Sequence, residues 1–144
     1  MKLELNIDEK VKETLVVVSA NKIDKEVQNL INYIEYSSEY LIGIVENKAS
    51  IIDIDEIIRV YIEDRKTFVV TLKDTYVVKK KLYEVENMVT HNFVKISQSE
   101  IANIKFIKNL DFSNTGTIVI KYKNSDISYV SRRMIKEFKL KLGI

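Results

Sequence analysis

From residue 41 to residue 130 the chain is a series of short apolar runs joined by connections of only a few residues, and this spacing constrains the fold more than any other feature. Parallel neighbouring strands need a crossover of about a dozen residues or more, whereas antiparallel neighbours need only a tight turn. The runs therefore predict hairpins and meanders, hence antiparallel sheet. "YLIGIVENKASIIDI" reads as two strands with a turn at Glu46–Lys48, and "DEIIRVYIEDRKTFVVTLKDTYVVKKKL" as three, turning at Glu63–Lys66 and Lys73–Thr75. "NFVKIS" and "NIKFIKNLDF" flank a polar knot at Lys95–Ser99, and "TGTIVIKY" and "DISYVS" form a hairpin turning at Lys123–Ser125.

Three stretches have helical spacing. Ile23, Val27, Leu30, Ile31 and Ile34 share one helical face. Asn21 or Asp24 can cap that helix by accepting from its free N–H groups, and "SSEY" ends it. Leu82, Val85 and Val89 mark a short helix, and Met134, Ile135, Phe138 and Leu142 mark a last one that Ser131 can cap. Before the first helix, "KLELNID" alternates apolar and polar residues and "TLVVVSA" is β-branched, so both read as strands. The expected architecture is α+β, mainly β. A small β-β-α piece at 1–49 precedes a larger sheet region at 50–144.

Composition then limits function. There is no apolar run near 18 residues, no basic-then-apolar leader and no cysteine, so neither a membrane span nor a signal peptide is expected and the cytoplasm is the expected compartment. The three glycines, Gly43, Gly116 and Gly143, stand too far apart for a phosphate loop. The single His91 lies near the end of the second helix, where the dipole favours it, and offers no triad. Asp53, Asp55 and Glu56 read as a solvated turn, since a cation site of that kind needs more oxygen ligands. No enzyme, cofactor or metal is expected.

Charge is more informative. Residues 1–49 carry 6 Lys/Arg against 9 Asp/Glu, and residues 50–144 carry 17 against 12. The last stretch, 121–144, carries 7 against 2. Three loops concentrate the polar and basic side chains: "EDRK", "KISQS" and the "SRR" before the last helix. Two arginines in the first turn of a helix oppose its dipole, a cost that a facing phosphate or base would offset. Arginine grips phosphate oxygens or the guanine O6/N7 edge with two bonds. Surface pairing of Arg132 and Arg133 with Asp126 or Glu137 is the plainer alternative.

"DIDEIIRVYIEDRKTFVVT", "NFVKISQSEIANIKFI" and "GTIVIKYKNSDISYVSRRMIKEFK", in that order, resemble a LytTR-type DNA-binding domain over roughly residues 51–142. Phe93, Lys95, Ser99 and Asn103 match the pattern of the second stretch, and Ser131, Arg132 and Arg133 match the ending of the third. Ser97 and Gln98 depart from it, because many members carry a histidine and a basic residue there. The resemblance implies an elongated stack of antiparallel sheets whose loops enter successive major grooves of double-stranded DNA with repeated half-sites, as a homodimer. By position Arg65, Lys66, Lys95, Ser97, Gln98, Ser99 and Arg133 are contact candidates, Arg132 and Lys136 steady the backbone, Ser131 supports its loop, and Asn103 either supports its loop from within or contacts DNA directly. Residues 1–49 are too short for a receiver domain, so control by receiver phosphorylation is not expected. A membrane-embedded inhibitor protein is a further partner by family analogy. The rival reading is a protein-interaction module whose basic loops meet an acidic partner. RNA binding fits less well, since Phe68, Tyr76, Phe106 and Phe112 fall at apolar strand positions rather than on a stacking platform.

Overall fold

The structure, a computed structural model, describes residues 1–36 and 40–144. Helix α1 spans Lys25–Tyr36. Strands β1 (Leu41–Val45), β2 (Lys48–Ile52), β3 (Arg59–Glu63), β4 (Lys66–Val70) and β5 (Thr75–Val78) follow, and then helix α2 (Leu82–Met88). Strands β6 (Phe93–Ser97), β7 (Glu100–Asn103), β8 (Ile107–Asp111), β9 (Ile118–Tyr122) and β10 (Ile127–Val130) lead to helix α3 (Ile135–Leu142). All strand pairings are antiparallel, in a seven-stranded sheet of order β2-β1-β5-β4-β3-β7-β6 and a three-stranded sheet of order β10-β9-β8.

The large sheet is buried on both faces at its centre. One face, with Leu41, Val60, Val69, Val78 and Ile101, packs on Leu82 and Val85 of α2. The other, with Ile58, Val70, Ile96 and Ala102, packs on Ile120, Tyr122 and Val130 of the small sheet and on Phe138 of α3. Burial on two faces explains the unbroken apolar run at Ile57–Ile58. The turns obey local chemistry. Glu46–Asn47 and Asp64–Arg65 both have two positive φ angles (50 and 62, 50 and 64), the two-residue turn whose twist matches a hairpin. Gly43, mid-strand in β1, is required by space: a Cβ there would come within 2.6 Å of Tyr76 Cβ.

Several expectations need correction. Residues 1–24 form no strand, and Leu3, Leu5, Ile7 and Leu15 are exposed, so the β-β-α piece reduces to its helix. Alternation permits a strand, but a strand also needs a neighbour to satisfy its backbone, and none of the described residues pairs with this segment. The helix itself is capped as expected, with Asp24 Oδ1 accepting from Val27 N at 2.9 Å. Its expected end at "SSEY" falls mostly on residues 37–39, outside the described residues. The 49/50 division cuts the β1–β2 hairpin, both strands of which belong to the large sheet. The strand expected at "NIKFIKNLDF" begins only at Ile107; Glu100–Asn103 is the partner of β6 instead, and a 3-10 turn at Ile104–Phe106 separates the two.

Phe138 is fully buried and is the deepest tie between α3 and the sheets. Phe138→Ala should lower unfolding free energy by about 3–5 kcal/mol, read from urea denaturation.

Candidate nucleic-acid interface

The β3–β4 and β6–β7 turns lie at the same end of the large sheet. Tyr61 of β3 stands opposite Glu100 of β7, and Ile62 N donates to Ser99 O at 2.9 Å, which ties one turn to the other. Arg65, Lys95 and Gln98 consequently line one cleft of about 450 Å³. Lys81 and Tyr83, at the start of α2, line it too. Neither residue is marked in the sequence beyond the "VKKKL" run, which reads equally as the polar start of a helix.

The turn at Gln98–Ser99 is built by serines. Ser97 Oγ accepts from Ser99 N at 3.2 Å and lies 3.3 Å from Ser99 Oγ, closing a tight side-chain turn. A register shift between Lys95 and Ser97 alters the pleat there, re-aiming the side chains of the loop. Gln98, Ser99, Arg65 and Lys66 are exposed, and Lys95 and Ser97 are half-buried.

The third basic stretch approaches through β6. Ser131 N donates to Ile96 O at 2.8 Å, which sets the 3-10 turn Arg132–Met134 beside the β6–β7 hairpin. The arginines thus precede α3 rather than open it, and Ser131 makes no side-chain capping bond, because the chain first tightens into this turn and begins the α-helix only at Ile135. The two arginines therefore do not oppose the dipole of α3, contrary to expectation. Arg132 passes close to Gly116, where a Cβ would come within 2.7 Å of Arg132 Nε, and Arg132, Arg133 and Lys136 are all exposed.

Their electrostatics are simple. Among the described residues, no carboxylate lies within 4.0 Å of Arg65, Lys66, Lys95, Arg132, Arg133 or Lys136. Asp126, one suggested partner of the arginines, is bound to Arg59 instead. Three separated segments thus present unneutralised cations and hydrogen-bond donors on and beside one end of the sheet, the chemistry that suits a polyanion.

The profile of the LytTr DNA-binding domain matches residues 47–143. The chain belongs to the LytTr DNA-binding domain family. An uncharacterized HTH-type transcriptional regulator of Staphylococcus aureus strain MSSA476 is 31% identical, the match covering 100% of this chain and 99% of that protein. A counterpart in strain MRSA252 is 30% identical over the same shares. A solved LytTr DNA-binding domain from Bacillus cereus superposes with a TM-score of 0.70 at 20% identity, covering 74% of this chain and 100% of that one. Despite the relatives' name, no two α-helices of this LytTr chain are consecutive among the described residues: five strands separate α1 from α2 and another five separate α2 from α3. A helix-turn-helix requires two helices joined by a short turn.

Asn103 is buried, and both ends of its amide are used: Nδ2 donates to Ile57 O at 2.7 Å and Oδ1 accepts from Lys105 N at 3.0 Å. Its support goes to the 104–106 turn and the start of β3, at the opposite end of β7 from Gln98. His91 lies beyond the end of α2, exposed in a turn, and so outside the helix expected to hold it. Asp53 Oδ1 accepts from Asp55 N, which makes it the cap of the 3-10 turn Ile54–Glu56.

Arg65 holds a left-handed φ of 64, a conformation that costs residues with a Cβ about 1–2 kcal/mol. Arg65→Gly should therefore raise stability in urea, by roughly 0.5–1 kcal/mol once glycine's extra chain entropy is deducted. Burial pushes the Glu100 carboxyl above its ordinary value of 4.5, with Ser128 and Arg59 offsetting part of the rise. A raised folded-state pKa favours the fold below 4.5, and this contribution is lost as pH rises through the shifted value. Wild-type stability should fall relative to Glu100→Gln across that window, and parallel urea titrations at successive pH values would check it.

Proposed function

We propose that this protein is a sequence-specific transcriptional regulator that reads successive major grooves of double-stranded DNA with loop residues. The observation that carries the reading is the set of unpaired cations and polar tips, from three segments, gathered on and beside one end of a LytTr sheet. Arg65, Gln98, Ser99 and Arg133 are assigned to the grooves, with Ser97 fixing the turn that carries two of them, and Lys95 enters beside them to meet phosphate. Lys66, Arg132 and Lys136 are assigned to phosphates. Arg132 suits that role because it is exposed beside Gly116, with no carboxylate within 4.0 Å among the described residues.

Repeated half-sites and a homodimer belong to the same reading. An uncovered apolar area supports self-association: Ile42, Ile44 and Ile51 are exposed on the β1–β2 face that the small sheet does not reach. A cytoplasmic location follows from work on the chromosome; no helix among the described residues is long and apolar enough to cross a membrane. The membrane-embedded inhibitor rests on family analogy alone.

Selection of bound duplexes from a random pool tests the proposal. Wild type should recover a repeated motif, and Arg133→Ala should broaden it at one position with a loss of roughly 1–3 kcal/mol in affinity. Lys95→Ala should weaken binding to all duplexes and reduce the log–log salt slope by about one. No enrichment by wild type would overturn the proposal and leave the basic loops to an acidic protein partner.

A further inference from the structure

The seam between the two sheets holds a polar cluster that no DNA contact explains. Arg59 projects from β3, Glu100 opens β7 and Asp126 lies just before β10. Arg59 Nη1 stands 3.3 Å from Glu100 Oε1, and Arg59 Nε 3.1 Å from Asp126 Oδ2. The guanidinium also sits 4.6 Å above the Tyr61 ring, itself stacked on Phe68. The Arg59 and Glu100 side chains are only 18% and 17% exposed, so these ion pairs lie where solvent screens little.

The two carboxylates belong to different sheets. Glu100 directly follows Ser99, the tip of the β6–β7 turn. Asp126 is joined through the four residues of β10 to Ser131 and the Arg132–Met134 turn. Asp126 is also fixed in its own hairpin, its N donating to Asn124 Oδ1 at 3.0 Å and its O accepting from Tyr122 N at 2.9 Å. A single planar guanidinium thus connects the element bearing Gln98 to the element bearing Arg133. Around it, Glu100 Oε2, Tyr122 Oη and Ser128 Oγ are buried together, with the Ser128 hydroxyl facing both Glu100 and Tyr122. The seam is thus polar on both sides, and Arg59 is the cation that acts on both Glu100 and Tyr122.

We propose that Arg59 is a positioning residue for DNA reading, holding the Gln98 turn and the Arg133 turn at a fixed separation by bridging Glu100 and Asp126. The inference rests on the reading given under Proposed function. Arg59 itself touches no DNA. A groove reader needs its tips at set distances, because bases recur at fixed intervals along the duplex. Loosening the seam therefore costs discrimination, while the exposed cations that attract phosphate stay in place.

The test measures affinity for the selected duplex and for a random duplex, each across a salt series, with wild type, Arg59→Met and Asp126→Ala. Asp126→Ala cuts only the bond between the sheets and leaves Glu100 paired, so it stays informative if Arg59→Met fails to fold. Both variants should lower the ratio of specific to random affinity roughly tenfold, with random-duplex affinity and salt slope unchanged. An unchanged ratio in folded Asp126→Ala overturns the inference. Equal losses on both duplexes also overturn it, since they report only less folded protein. A wild type with no preference for any duplex would instead remove the reading on which the inference stands.

Discussion

Strand β3 is the constraint on which the rest of the structure depends. Ile57 and Val60 face one core and Ile58 faces the other, so the strand and its approach serve both at once. Its backbone is held by β4 and β7 on either side, and Asn103 clamps its approach by donating to Ile57 O while its own N donates to Ile58 O. Polar groups in such a place are costly unless paired, which is why a buried amide there makes bonds at both ends. The Arg65 tip, the Arg59 bridge and the docking of the small sheet all take their positions from this strand.

The large sheet was legible in the sequence where information is local. Hairpins announce themselves through short connections and polar turn residues, so the turns at Glu46–Asn47, Asp64–Arg65 and Lys123–Ser125 stood close to where expected. The Asp24 cap was legible for the same reason, since its partner is three residues away. Periodicity failed where pairing had to be supplied from elsewhere. "KLELNID" has the pattern of a strand and no neighbour among the described residues. "EIAN" starts with a charged residue and ends with an amide, yet it is a central strand because β3 and β6 flank it.

The candidate site divides along the same line. The basic residues of the three loops could be named from their types and spacing, and the cleft brings Arg65, Lys95 and Gln98 together. Lys81 and Tyr83 could not be added, because their approach depends on how α2 meets the sheet. Nor could the Arg59 cluster be read, since its partners are 41 and 67 residues away. Glu100 and Asp126 look in the sequence like any surface acids. Only the fold turns them into one seam.

The order of strands in the large sheet also bears on how the chain reaches its fold. Four of its six pairings join strands adjacent in sequence, and two do not: β1 with β5, and β3 with β7. Local hairpins close in microseconds, whereas bringing distant segments together must first overcome chain entropy that no contact has yet offset. Pairing of β3 with β7, like that of β1 with β5, is therefore slow relative to closure of the hairpins, and it is the step that brings Glu100 to Arg59.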